Sequence, residues 1–246
     1  MFNIKTVINK HFPLYMLYSF TIKDGHKKRE RLRLLRDEKT IFFATGYPRS
    51  GNTLFAHILK GLYPQTQFIT HSHTVAALKI ALSYEKKTIV LFRDPESSVS
   101  SMLLKGKHGK EKHRMGFKQL QKRINFEWYL KEYISYYSFV LENKDKLMPI
   151  KAEYLFNSPV DTLRNVERYL NIIGKDKNHS NLSELVTNRI NSYNEKRIKH
   201  DEENEFASGL PSSEKNKVKN QIIRDIKSHK EYRDARWIYD SLAEGI

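Results

Sequence analysis

Cysteine is missing altogether from the 246-residue chain. That removes disulfides and thiolate-held metals, and nothing points to an oxidising compartment. Long apolar runs are missing too: no stretch reaches the roughly 18 residues that a transmembrane helix requires. The first twenty residues contain the apolar run Phe12-Pro13-Leu14-Tyr15-Met16-Leu17-Tyr18 but no long signal-type apolar region or small-residue cleavage site. The expectation is a cytoplasmic protein whose N-terminus packs on its own domain, with peripheral docking on a membrane surface as the alternative. Glycine and proline are few, at 10 and 7, and no linker or internal repeat divides the chain, so one domain is expected. Acidic residues are in deficit: 28 Asp and Glu stand against 44 Lys and Arg, a formal charge of +16. That surplus attracts phosphorylated cofactors, acidic glycans, nucleic acid or anionic membrane, without choosing among them.

Periodicity supplies the rest of the frame. Thr40–Thr45 is a short β-branched and aromatic run, as expected of a buried parallel strand. Gln67–Thr70, Lys87–Phe92 and Leu147–Lys151 read as further strands. Helices are expected over Thr53–Leu62, Val75–Ser83, Phe117–Glu142 and Val160–Leu170, and one begins at Pro95, a residue suited to a first helical turn. Lys27–Arg36 reads as a solvated helix face or connector, and the basic, glycine-containing Lys105–Arg114 as a loop. The aromatic stretch Phe126–Phe139, with Trp128, Tyr129, Tyr133, Tyr136 and Tyr137, reads as core packing, with an acceptor cleft as its other use. Strand–helix alternation at this spacing predicts an α/β, P-loop-like, three-layer domain. Its central parallel sheet would have four or five strands flanked by helices.

The chemistry concentrates in Gly46-Tyr47-Pro48-Arg49-Ser50-Gly51-Asn52-Thr53, between the first strand and the first core helix. A glycine-rich turn there exposes backbone N–H groups beside a helix N-terminus and so holds phosphate-like anions. Gly46 and Gly51 allow close approach, Ser50 and Thr53 add hydroxyls, and Arg49 adds a fixed charge. The spacing fits G-x-x-x-x-G-K-[ST], except that Asn52 replaces the lysine that a nucleoside triphosphatase needs on its β- and γ-phosphates. The alternatives are an ordinary strand–helix turn, an unusual P-loop kinase or NTPase using Thr53 on Mg²⁺, and a basic polyanion-binding module. No recognised nucleic-acid motif supports specific nucleic-acid binding.

The segment Tyr47–Leu54 resembles the 5′-phosphosulfate loop of sulfotransferases that use 3′-phosphoadenosine 5′-phosphosulfate (PAPS), which reads Y-P-K-S-G-T-T-W or P-R-S-G-T-T-L. Arg93-Asp94-Pro95, with Ser101 eight residues after the arginine, resembles that family's 3′-phosphate element. Thr70-His71, 22 residues before Arg93, is similar to the K-[TS]-H segment that ends the second strand and carries the catalytic base. His73 is the rival, and some branches use a glutamate there. The resemblance spans Ile41 to Ile172. Lys151–Leu155 is similar to the family's Y-E-D-L region with its acid shifted, so no site residue is carried over from it. The C-terminal R-K-G-x-x-G-D-W motif is absent. Ser208–Lys215 looks instead like the G-x-P-S segment of bacterial-type relatives, implying cofactor contacts at Gly209 and Ser213; a loop before a capped helix is the other reading.

The resemblance therefore implies PAPS as donor, PAP (3′-phosphoadenosine 5′-phosphate) as product and no metal. Cofactor-binding residues would be Arg49, Ser50, Gly51, Asn52, Thr53, Arg93, Ser101, Gly209 and Ser213. His71 would take the acceptor's proton, and Arg49 would neutralise charge building on the bridging oxygen. The acceptor would be a small molecule or glycan bearing a hydroxyl or amine, with acidic carbohydrates among the candidates. Residues 1–38 would form a helical extension, 39–172 the cofactor-binding core and 173–246 a helical C-terminal part.

Overall fold

The computed structural model describes residues 25–108, 126–172, 181–202 and 213–244. In chain order the elements are α1 (Gly25–Leu35), β1 (Phe42–Gly46), α2 (Asn52–Leu62), β2 (Phe68–Thr70) and α3 (Val75–Ser83). They continue with β3 (Lys87–Phe92), α4 (Pro95–His108), α5 (Phe126–Glu142), β4 (Met148–Lys151) and α6 (Ala152–Asn157). Helices α7 (Pro159–Leu170), α8 (Leu182–Glu202), α9 (Ser213–Lys227) and α10 (Tyr232–Ala243) follow. The four strands form one parallel sheet in the order β2-β1-β3-β4.

Alternation along the central strands assigns side chains to two faces. Phe43, Val90 and Phe92 enter one core with α1, α3, α4, α5, α9 and α10. Phe42, Ala44, Ile89 and Leu91 enter the other with α2, α6, α7 and α8. Both faces of β1 and β3 are covered, which is why these strands read as unbroken apolar runs. Phe42 and Phe43 are each fully buried, worth about 1.5–3 kcal/mol apiece.

Local signals set the helix starts. The Thr74 hydroxyl accepts from the Ala77 N–H at 3.2 Å and caps α3. Asp94 Oδ1 accepts from the Ser97 N–H at 2.7 Å as Pro95 begins α4. Helix α7 starts at Pro159 and ends on Asn171 at φ 57°.

Three elements differ from the sequence expectation. Helix α4 continues through Lys105–His108 where a loop was expected; the Val99, Leu103 and Leu104 stripe carries the helix past Gly106. The Lys27–Arg36 run is no mere connector, because Leu32 and Leu35 of α1 are buried in the core. Residues 117–125 of the expected long aromatic helix lie outside the described residues, and the helix is seen over Phe126–Glu142.

The order β2-β1-β3-β4 puts a topological switch point between β1 and β3, since the connection from β1 runs to one side and β3 lies on the other. Ligands of open α/β sheets collect at such crevices beyond the carboxyl ends of the strands. The β1–α2 loop and the Arg93 turn both emerge there.

Candidate functional site

Residues 46–53 turn sharply from β1 into α2. Gly51 stands at φ 85° and Arg49 at φ 74°. The left-handed conformation is free for glycine but costs a non-glycine residue about 1–2 kcal/mol. Strain at Arg49 therefore marks a residue whose side-chain direction is being enforced. Asn52 and Thr53 open α2, so their N–H groups have no partner within the helix and make its N-terminus an anion site.

Asn52, the lysine position of nucleotide triphosphatases, is 8% exposed and turns inward. Its Nδ2 donates to the carbonyls of Gly46 at 3.3 Å and Tyr47 at 3.0 Å. Ser50 is fully buried, and its hydroxyl lies 3.0 Å from the Tyr137 hydroxyl. The Asn52 side chain is engaged by the loop itself and that of Ser50 by Tyr137 of α5, so their approach to an anion is through backbone. Thr53 is exposed.

The two expected phosphate elements meet. Arg49 Nε donates to Ser101 Oγ at 2.8 Å, and Arg93 Nη1 donates to the Arg49 carbonyl at 3.5 Å. Residues that the sequence places 44 and 52 positions from Arg49 thus form one polar cluster across β1 and β3. Lys219 of α9 joins them. Burial pushes its ammonium below the usual lysine range, the Arg93 charge adds to this, and Asp94 opposes it. Sequence reasoning passed over Lys219; its only signal was the stripe that it continues with Ile222 and Ile226 on α9, both of them buried. Of the C-terminal pair, Gly209 lies outside the described residues, and Ser213 is the first residue of α9.

The histidines lie at the end of β2. His71 has φ 63°, and its carbonyl accepts from Arg31 Nη1 at 2.9 Å. Partial burial lowers its pKa below the ordinary histidine value, and the charges of Arg31 and Lys60 lower it further. The ring is neutral at pH 7 and can accept a proton. The His73 ring lies edge-to-face with it, centroids 5.9 Å apart. His73 Nδ1 is 2.7 Å from the Gly46 carbonyl. A carbonyl only accepts, so Nδ1 carries the proton and Nε2 the lone pair. Burial pushes the His73 pKa down to about 4, against the opposing effect of the Gly46 hydrogen bond.

That depression links stability to pH. The fold favours neutral His73, so its contribution is complete above about pH 6.5 and is lost as pH falls toward 4. The whole effect amounts to about 3 kcal/mol at most. Urea unfolding should give a free energy that declines across this window. His73→Asn, whose amide can replace the Nδ1 donor, should flatten the decline; an unchanged slope would show that other groups cause it.

The sulfotransferase-domain family model matches residues 62–238, most of the chain. The chain belongs to the sulfotransferase domain family. Among solved structures, mouse sulfotransferase SULT7A1 complexed with PAP is similar, with a TM-score of 0.51. The two are 12% identical over 89% of this chain and 94% of that one, a likeness of fold. No curated protein matches the sequence. The family match begins after the β1–α2 loop.

Proposed function

We propose that this sulfotransferase takes its sulfuryl group from PAPS and passes it to a hydroxyl or amine, with His71 as base and Arg49 as the charge-neutralising group. The observation that carries the reading is the Arg49–Ser101 contact beside Arg93. It joins the loop that would hold one phosphate to the strand end that would hold another. The donor set suits an anion with two separated phosphate groups: backbone N–H groups at the start of α2, two arginines, a lysine and a serine hydroxyl. PAPS supplies a sulfuryl group activated by its anhydride link to phosphate and leaves as PAP.

Within that reading the α2 N-terminus holds the 5′ side, and Arg93, Ser101 and Lys219 hold the 3′ side. Gly209 and Ser213 remain assigned to the cofactor on sequence resemblance. Arg49 turns from Ser101 toward the bridging oxygen, where its fork neutralises developing charge. His71 removes the acceptor's proton. It is preferred to His73 because a base whose pKa lies nearer the working pH transfers protons more effectively, and because His73 Nδ1 is committed to Gly46. Arg31, bonded to the His71 carbonyl, and the charge of +16 favour an anionic acceptor such as an acidic glycan.

PAP should raise the melting temperature of the purified chain, and His71→Ala should remove transfer from labelled PAPS while keeping that shift. Absence of any shift with PAP overturns the donor assignment. Full activity of His71→Ala together with loss in His73→Ala moves the base to His73.

A further inference from the structure

Beneath the site runs α5, and three of its tyrosines, all buried, reach three different segments. The Tyr133 hydroxyl donates to the Arg93 carbonyl at 2.7 Å. The Tyr137 hydroxyl donates to the Leu91 carbonyl at 2.9 Å and accepts from the Tyr47 N–H at 3.1 Å. Since its single proton goes to Leu91, the Ser50 hydroxyl at 3.0 Å donates to it. Tyr136 works on the other side. Thr45 Oγ1 donates to the Ser72 carbonyl at 3.1 Å, so the Tyr136 hydroxyl at 3.3 Å donates to Thr45.

We infer that α5 is the template on which the donor and acceptor halves of the site are registered, and that Tyr137 is the positioning residue of the donor half. The inference rests on the donor-site reading above. One phenolic oxygen fixes the end of β3 and both flanks of the Pro48-Arg49 turn. It therefore sets how far the phosphate loop stands from the Arg93 strand end. Tyr136, one residue along the same helix, packs its ring against Tyr47, centroids 6.4 Å apart, but its hydroxyl bonds to Thr45 instead. Through Thr45 it fixes Ser72, the residue between the two histidines. The two hydroxyls thus divide the labour: Tyr137 governs where the donor's phosphates sit, and Tyr136 governs where the base sits. A buried tyrosine that merely satisfied its own hydroxyl would need one partner; Tyr137 has three, from two strand ends. Burial holds its phenol protonated by raising its pKa far above the ordinary value, so the donor to Leu91 persists across the working pH range.

The test compares Tyr137→Phe with Tyr136→Phe, each of which deletes one buried hydroxyl and keeps the ring. Tyr137→Phe should weaken PAP binding and raise KM for PAPS by about tenfold, the scale of one lost buried hydrogen-bonding group. Its KM for acceptor should stay close to wild type. Tyr136→Phe should leave PAP affinity within about threefold and instead lower kcat and shift the pH–rate profile. Amide hydrogen exchange of residues 49–53, measured without ligand, should quicken in Tyr137→Phe and not in Tyr136→Phe. Unchanged exchange and unchanged PAP affinity in Tyr137→Phe overturn the inference. So does a pair of variants that lose every parameter in parallel with melting temperature. A wild-type chain that fails to bind PAP defeats the donor reading separately, and the exchange measurement still decides the role of Tyr137.

Discussion

Arg49→Ala should lower kcat for sulfuryl transfer by about 10²–10³-fold, the usual cost of removing one preorganised group from a charge-developing transition state. Arg49 is held at φ 74° with its guanidinium directed across the crevice to Ser101. Alanine at this position keeps the backbone strain and loses the charge. Melting temperature should change little, because the residue is only partly buried and its side chain fills no core. Arg93→Ala gives the contrast: PAP binding should weaken by roughly 10–100-fold, the scale of a charge-assisted hydrogen bond, with a smaller effect on kcat at saturating donor. Arg49→Lys should recover part of the rate, as a point charge replaces the fork. Single-turnover assays with labelled PAPS, run beside PAP titration, separate these effects. If Arg49→Ala retains more than about a tenth of wild-type kcat, its role in neutralising the leaving oxygen is lost.

The second large effect is on stability. A Cβ added at Gly46 would lie 2.3 Å from the Leu91 carbonyl oxygen and 2.9 Å from Asn52 Oδ1. Leu91 is the β3 residue paired with Gly46, so the first clash is with backbone in the middle of the sheet. Neither strand can retreat without breaking its ladder. Gly46→Ala should cost roughly 3 kcal/mol or more, at the upper end of overpacking effects. Gly51→Ala is the comparison. Its Cβ would meet the Phe156 ring at 3.5 Å, an ordinary contact, but at φ 85°, so the expected cost is the left-handed penalty of about 1–2 kcal/mol. Equilibrium urea unfolding should rank the variants in that order. A Gly46→Ala chain within about 1 kcal/mol of wild type would mean that the β1–β3 junction opens more readily than its geometry implies.

The β1–α2 loop and the Arg93 turn could be read from sequence as turns at strand ends because each is local. Gly46 and Gly51 mark a strand–helix turn by spacing alone, and Arg93-Asp94-Pro95 marks the end of a strand. Parallel strands buried on both faces likewise announce themselves as apolar runs. The contacts of Tyr137 could not be read this way. An aromatic helix signals burial, and nothing in its spacing says that a hydroxyl will reach a loop about ninety residues earlier in the chain. Ser50 and Asn52 carry the right chemistry to face an anion, yet buried polar groups must first be satisfied; Asn52 bonds to carbonyls of the loop and Ser50 to Tyr137 of α5. Arg31 sits on a basic run that resembles any solvated face, and only the packing of α1 through Leu32 and Leu35 brings it to His71. The six-residue helix α6 is too short to show a period.

The dependence of the phosphate loop on α5 also sets an order of events during synthesis. Tyr47 and Ser50 are made long before Tyr137, to which they bond across separations of 90 and 87 residues. Contacts that close so much chain are entropically late. A growing chain that has not yet released α5 has a β1–α2 turn whose buried hydroxyl and N–H lack their partner. The described conformation of the β1–α2 turn is therefore acquired only after α5 has been made and has docked beneath the sheet, and on the donor reading above a bound donor favours the folded state only from that point.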